Sequence, residues 1–455
     1  MGADQPVAAG ESSGDEEIRR LLKQAAAELT ARAWIVGGYV RDRLLGRAHP
    51  DIDVVVEEGL GFELARRFAE LAGAGEPVVF ERFGTAQVTL PGHLVELVSA
   101  RSESYASDSR KPDVQPATLE EDLRRRDFTV NTLLMDFDGD VHDPLGRGLA
   151  DLQGYVLRTP AGPRQTFSDD PLRMLRAIRF AAQLGFELAP DLLPAMRQMR
   201  ERLTSPVVSV ERIADELRKM LISERPQLAL ELLDDADLLE LILPELAACK
   251  GVLQGGYHTH DVFRHTLLTV AGTPPDIVVR LAAVFHDVGK PSTAAPDGSF
   301  LGHEVVGAEI AAHAMERLRF PIKETETVAL LIRLHLRPVY YSSEWTDGAV
   351  RRLANDAGQQ LERLMQLARA DVAASAYPHP EKLDELAARL DAVLSERPSR
   401  LAAPVDGEDI MRVRGIGPGP EVGRIKRRLT ELVMDGAIEP SREAVFAFLV
   451  ANPDL

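Results

Sequence analysis

Two aspartates one residue apart, Asp51 and Asp53, lie in the run Pro50-Asp51-Ile52-Asp53-Val54-Val55-Val56. The run reads as a strand, and a period of two puts both carboxylates on one face. Such a pair suits a hard divalent cation like Mg2+, which also takes substrate phosphates. Two such ions activate an attacking hydroxyl and stabilise a leaving diphosphate. Upstream, Trp34-Ile35-Val36-Gly37-Gly38-Tyr39-Val40-Arg41-Asp42 reads as a strand ending in a tight turn. Glycines there let the backbone approach a phosphate, so Gly37, Gly38 and Arg41 are expected at a nucleotide. A glycine pair alone is common in turns, and Asp-x-Asp alone is often a solvated edge. Their close spacing in one segment favours phosphate chemistry.

Two further segments carry the same chemistry. Arg124-Arg125-Arg126-Asp127-Phe128-Thr129-Val130-Asn131 offers arginines to clamp a triphosphate and a carboxylate to accept from a ribose hydroxyl; a charged helix end is the plain alternative. In Ser168-Asp169-Asp170-Pro171-Leu172-Arg173, Pro171 fits the first position of a helix with Asp170 as its N-cap. Asp170 and Arg173 are also one turn apart. An acceptor beside a forked donor can pair with the edge of cytosine or adenine, whereas guanine or uracil would leave buried groups unpaired. Arg176 and Arg179, further along, are in reach of phosphates.

A separate set is rich in imidazole: His265, His286-Asp287, His303, His335 and Asp371. All but His303, expected on a loop, fall in helical patterns. Imidazole with carboxylate suits Mn2+, Fe2+, Co2+, Ni2+ or Zn2+, and such an ion activates water near neutral pH.

The first group resembles the nucleotidyltransferase superfamily, and within it the bacterial branch of tRNA CCA-adding enzymes and poly(A) polymerases. The resemblance runs from about residue 33 to 450. It implies that Asp51 and Asp53 bind the catalytic metal. It implies sugar recognition by Arg125, Arg126, Asp127 and Asn131, which match an Arg-Arg-Asp-Phe-Thr-x-Asn motif, and choice of CTP or ATP by Asp170 and Arg173, which match Glu-Asp-x-x-Arg. Asp169 stands where that motif has glutamate. Glu211-Arg212-Ile213 resembles a segment that braces the base-reading helix. Residues 100 to 123 resemble a flexible loop used in switching from CTP to ATP, with Arg101, Glu103, Tyr105, Arg110 and Pro112 following its pattern; its presence argues against an enzyme that adds only the two cytidines. The histidine segment resembles an HD-superfamily phosphohydrolase domain. That likeness implies His265, His286, Asp287 and Asp371 as metal ligands, with His303 and His335 as extra ligands or phosphate contacts, and phosphatase or 2′,3′-cyclic phosphodiesterase activity. The metal's identity stays open.

The elements that must position these residues divide the chain. Residues 16–30 read as an amphipathic helix. Strands are expected at 87–90, 94–98, 133–137 and 155–158, with Glu96 as either a third acid or, more simply, a half-exposed strand residue. Residues 102–118 read as a mobile loop. From 164 onward the pattern is almost wholly helical. The expected fold is therefore an α+β nucleotidyltransferase head with a small mixed sheet, then helical neck, HD and tail domains. Boundaries are expected at a disordered 1–15, a head at 16–160, a neck at 161–250, an HD domain at 251–395 and a tail at 396–455. The tail holds a glycine-rich turn, Gly415 to Gly423, before a basic helix, either a plain helix start or a place for RNA phosphate.

With 455 residues, two to four domains are expected. The one cysteine, Cys249, rules out an internal disulfide and fits a reducing cytosol. No secretory signal and no membrane-spanning run is evident, so a cytoplasmic protein is expected. A net charge of −18 excludes a protein basic all over, but leaves local arginine clusters for RNA. Expected partners are tRNA, CTP and ATP, with Mg2+ at the transferase site, a transition metal at the histidines, no membrane, and a possible homodimer. The expected activity is addition of CCA to tRNA. Alternatives are a poly(A) polymerase, an A-only adding enzyme, or a phosphohydrolase with a nucleotide-sensing head.

Overall fold

The computed structural model describes residues 13–81, 84–104, 113–204, 207–257, 259–395, 404–434 and 437–453. Most of the segment expected to be disordered, and Tyr105, Arg110 and Pro112, lie outside them. The chain forms two compact units, Met1–Ile242 and Leu243–Leu455.

The first unit is built on a seven-stranded sheet in which Val78–Phe80, Thr85–Leu90, His93–Ser99, Asp51–Val56, Ala33–Val36, Leu134–Met135 and Val141–His142 lie side by side in that order. Its strands are β1 (Ala33–Val36), β2 (Asp51–Val56), β3 (Val78–Phe80), β4 (Thr85–Leu90), β5 (His93–Ser99), β8 (Leu134–Met135) and β9 (Val141–His142). The sheet is mixed: β2 pairs parallel to β5, and its other neighbours pair antiparallel. β2 explains its own placement at the centre. Ile52, Val54, Val55 and Val56 are all fully buried, a near-continuous apolar run that only an interior strand can shelter on both faces. The polar residues come first, at the strand's open end. Helix Gly61–Leu71 packs on β4 and β5 through its buried Leu64 and Phe68, and helix Ser13–Leu29 packs on it in turn.

Three sequence expectations are corrected here. The stretch read as a loop from 102 to 118 contains a two-stranded ribbon, β6 (Arg101–Ser104) with β7 (Asp113–Pro116). The strand expected at 133–137 shrinks to the two residues of β8. That at 155–158 becomes β10 (Val156–Leu157), which leaves the main sheet and pairs parallel to β11 (Glu187–Leu188). Backbone pairing partners far along the chain decide such short strands, and local composition does not carry them.

Beyond β10 the unit is helical. Helix Arg173–Leu184 packs against Val210–Leu221 and Pro226–Asp235. In the second unit, helices Val262–Gly272, Ile277–Phe285, His303–Arg317, Ile322–Leu334 and Leu361–Ala373 form one packed group. The tail residues Ile410, Ile425, Leu429, Val445 and Leu449 form their own small core. Among the described residues no helix is long and apolar enough to cross a membrane.

Candidate active site

Strand register lays out the acidic centre. Asp53 pairs with Val36 on one side and Glu96 on the other, and Glu96 pairs with Gln87. Side chains of directly paired residues share a face, so Gln87, Glu96 and Asp53 form a row across β4, β5 and β2. Gln87 Nε2 donates to Glu96 Oε2 at 2.7 Å. Glu96 is thus more than a half-exposed strand residue: it lines the same cavity as Asp53. Burial pushes the Asp53 carboxyl up; Arg126 and His49 oppose this, while Glu96 and Asp51 add to it. A half-buried carboxylate with two more acids close by is a donor set that fits a divalent cation.

Gly37 closes the turn beside Asp53. Its φ is +80°, and a Cβ there would stand 3.3 Å from Asp53 Oδ2 and 3.4 Å from Arg126 Nη1. The missing side chain therefore makes room for the acid and the arginine.

The arginines are held by acids that the motifs did not single out. Thr118 and Glu121 form a reciprocal cap on helix Leu119–Arg124. That helix carries buried Asp122, which accepts from Arg125 Nη2 at 2.6 Å and Arg126 Nη2 at 3.2 Å. Burial raises the Asp122 carboxyl, but the two guanidiniums more than reverse that and leave it below its ordinary value. The spacing of three and four residues from Asp122 to the arginines is the one sequence signal for this role.

Asp127 is fully engaged. Oδ1 accepts from the Phe128 N–H and Asn131 Nδ2, both at 2.8 Å, and Oδ2 accepts from Arg176 Nε at 3.0 Å and Nη2 at 2.6 Å. A carboxylate offers about four acceptor positions, so the ribose hydroxyl assigned to it from sequence would have to displace a protein donor. Burial pushes this carboxyl up; the Arg176 charge and the Asn131 and Arg176 bonds overcome it and hold Asp127 well below the usual carboxylate range. Arg41 extends the chain of contacts. It donates to Asp42 through Nε and Nη2 and to Asn131 Oδ1 through Nη1, all at 2.8 Å. Buried and tied on both sides, Arg41 positions Asn131.

Asp170 and Arg173 line the cavity that holds Asp53, Glu96, Arg126 and Asp127. Helix Arg173–Leu184 starts two residues later than the proline suggested. Asp170 is extended, and its Oδ1 accepts from the Leu172 N–H at 3.1 Å. The capping bond is therefore made in the turn ahead of the helix. Its other oxygen accepts from Arg212 Nη2 at 2.8 Å, so Arg212 braces Asp170. Arg179 reaches buried Glu216 at 2.6 Å, one turn after Arg212 on the same helix. With Gly38, Arg41 and Asn131 it lines a second cavity, which shares Asp53 and Arg176 with the first.

The histidine site lies in the second unit. His286 and His335 cap the C-terminal ends of helices Ile277–Phe285 and Ile322–Leu334. His303 is the first residue of helix His303–Arg317, not a loop residue; Gly302 in the left-handed region precedes it and allows the sharp entry. A Cβ on Gly289 would stand 2.2 Å from the His303 carbonyl, so glycine alone lets this helix abut the His286-Asp287 turn. Three rings share one arrangement. The Nδ1 atoms of His286, His303 and His335 bond the carbonyls of Ala283, Phe300 and Ile332 at 2.8, 2.8 and 2.6 Å. Each Nε2 is left to turn inward.

Asp287 is the hub. Oδ2 lies 3.2 Å from His286 Nε2 and 3.7 Å from His265 Nε2, while Oδ1 lies 3.3 Å from His303 Nε2 and 4.0 Å from His335 Nε2. Asp371 Oδ1 sits 2.9 Å from His265 Nε2. Two ligand triads thus share Asp287: one with His265 and His286, one with His303 and His335. Among the described residues His303 Nε2 is buried without a well-formed hydrogen bond, its ring aimed at Asp287 Oδ1. Burial, helped by the nearby His286, pushes His335 down to about 4, so it is a neutral donor at physiological pH. Lys290, which the motifs did not flag, donates to Asp287 Oδ2 and Gln254 Oε1, both at 2.7 Å.

A mixed sheet whose acids share a cavity with an arginine-rich helix is the arrangement of a nucleotidyltransferase, and the second unit carries a histidine-aspartate cluster that could hold a metal ion. Residues 33–158 match the poly A polymerase head domain, 185–250 the probable RNA and SrmB-binding site of polymerase A, and 257–376 the HD domain. The A-adding tRNA nucleotidyltransferase of Deinococcus radiodurans is 34% identical over 430 residues, covering 90% of this chain and 94% of that protein. The CC-adding tRNA nucleotidyltransferase of Thermus thermophilus is 34% identical over 426 residues, covering 90% and 92%. The crystal structure of the Bacillus stearothermophilus CCA-adding enzyme in complex with CTP is similar, with a TM-score of 0.68 at 25% identity over 97% of this chain and 98% of that one. The chain belongs to the family of tRNA nucleotidyltransferases and bacterial poly(A) polymerases, and is an enzyme.

Proposed function

We propose that this enzyme adds CCA to the 3′ end of tRNA from CTP and ATP, without a nucleic-acid template. The observation that carries the reading is a single cavity in which Asp53 and Glu96 face Asp170 and Arg173. Reaction centre and base reader then act on one bound nucleotide. Asp51 and Asp53 would hold Mg2+. A divalent ion there supplies the positive charge that activates the tRNA hydroxyl and neutralises the departing diphosphate. Glu96, steadied by Gln87, is placed to take the proton of the attacking hydroxyl. Asp170 accepts from the exocyclic amine shared by cytosine and adenine, and Arg173 donates to the neighbouring ring nitrogen. Arg125 and Arg126 bind the sugar and phosphates.

The relatives named A-adding and CC-adding are equally similar to this chain, so likeness does not rank the three activities. Incubating the protein with tRNA ending before CCA, with CTP and ATP supplied singly and together, decides among them. Incorporation of two CMP and one AMP is expected. AMP without CMP would replace the reading with A-addition, CMP alone with CC-addition, and a long A tract with poly(A) synthesis.

A second activity is supported by the histidine site. His265, His286, Asp287 and Asp371 would hold a divalent transition metal, with His303 and His335 completing a second set of donors. Phosphomonoester or cyclic phosphodiester hydrolysis is the chemistry that such donors serve.

A further inference from the structure

His49 belongs to no motif, yet it sits at the heart of the transferase site. The Asp51 N–H donates to its Nδ1 at 3.3 Å. A ring nitrogen that accepts carries no proton, so in the neutral ring the hydrogen is on Nε2. That Nε2 lies against Gly38: a Cβ on residue 38 would stand 2.8 Å from it. Glycine at 38 is therefore explained by the His49 ring in the space a side chain would fill. The carboxylate oxygen facing Nε2, Asp42 Oδ2, is 3.6 Å away, beyond a good hydrogen bond, and already accepts from Arg41.

The ring faces the cavity that also holds Gly38, Arg41, Asp53, Arg176 and Arg179. Four guanidiniums, with Arg47, meet two carboxylates on its walls, a surplus suited to an anion. Arg41, Arg176 and Arg179 are already committed to Asp42, Asp127 and Glu216. The Nε2–H of His49 is a donor still available. The base-reading pair lies in the adjoining cavity, and Asp53 and Arg176 are common to both. A nucleotide whose base meets Asp170 and whose α-phosphate meets Asp53, with Arg125 and Arg126 on the sugar side, has this adjoining cavity open to its outer phosphates, and His49 lines it.

We propose that His49 is a phosphate-binding residue of the transferase site, its Nε2–H donating to the terminal phosphates of the incoming nucleoside triphosphate. The inference rests on the nucleotidyl-transfer reading of this site. The neutral ring suffices, because the bond needs only the Nε2 hydrogen.

Three substitutions in the full-length protein separate this role from a merely structural one. Gln carries its amide near the Nε2 position of histidine and so keeps the donor. Asn carries a polar atom near Nδ1 and so keeps only the acceptor for the Asp51 N–H. Dissociation constants for CTP and CMP are measured by calorimetry with Ca2+ present and tRNA absent. His49→Asn and His49→Ala should weaken CTP binding about tenfold, as expected for one hydrogen bond to a charged group, with CMP unchanged. His49→Gln should stay within about threefold of the parent for both. Three results overturn the proposal: CTP binding by His49→Asn at the parent level, equal weakening of CTP and CMP, or a His49→Gln variant as weak as His49→Ala. The unsubstituted protein's failure to extend tRNA would remove the tRNA reading alone, since CTP binding is measured without it.

Discussion

Arg176 Nη2 and Asp127 Oδ2 are 2.6 Å apart, and this pair ties helix Arg173–Leu184 to the segment that follows the arginine pair. Asp127→Ala would leave the Arg176 charge without its partner. Asp127 is buried but the Arg176 side chain is 36% exposed, so a loss of about 2 kcal/mol in urea unfolding is expected, less than for a fully buried pair. In the double variant with Arg176→Met, at least about 1 kcal/mol of that should return. The Asp127 carboxyl titrates below its unfolded value near 3.9. Its contribution is thus present above that pH and is lost as acid takes the solution down through the folded value. Additive single effects in the cycle would show that the two residues do not act together.

Arg212 holds Asp170 from outside the helix. Arg212→Ala should leave stability nearly untouched, within about 0.5 kcal/mol for a pair this exposed, but free Asp170 to turn. UMP incorporation relative to CMP should rise about tenfold, the scale of one lost orienting bond. Unchanged base selectivity would show that Asp170 needs no brace.

Asp53 illustrates a conflict between stability and chemistry. Burial raises its carboxyl, so in metal-free protein the charged form costs stability, and that cost appears as pH rises through the folded value. Asp53→Asn removes the charge. In EDTA at neutral pH the variant should melt at a higher temperature than its parent, while nucleotide incorporation falls at least about a thousandfold. A variant that melts lower would show the carboxylate to be structurally stabilising.

The histidine cluster is separable from transfer. His286→Ala should lose bound transition metal by elemental analysis and lose phosphate-ester hydrolysis by at least about a hundredfold. CMP and AMP incorporation should remain within about twofold, since none of the transferase side chains belongs to that cluster. Retained hydrolysis would move that chemistry elsewhere.

Much of this was legible before any coordinates, and the pattern of success has physical reasons. β2 runs from Asp51 to Val56, as its alternation and apolar run required. Helix Ser13–Leu29 also follows local rules, whereas His286 and Asp287, expected in a helical pattern, fall in the turn that ends helix Ile277–Phe285. Glu96 stays undecided in the sequence between a third acid and a half-exposed strand residue, because its position opposite Asp53 comes from pairing between strands some forty residues apart. The β6–β7 ribbon was hidden because polar, proline-bearing sequence reads as loop even when its ends can pair. His303 reads as a loop residue in the sequence because the helix it begins has a glycine-led entry and no side-chain cap. Asp122 acts through other residues, and such a role leaves little mark on a motif, whereas the bracing contact of Arg212 lies in a segment whose resemblance implied a brace.

Three rings at the histidine centre, His286, His303 and His335, each hydrogen-bond a carbonyl three residues back in their own turn. Their aim is therefore set within a few residues of chain and does not wait for an ion. An incoming cation would find its donors already pointed, so capture should cost little rearrangement. A centre assembled from such self-aimed pieces should also tolerate drift in the distant scaffold, provided each short segment keeps its own turn.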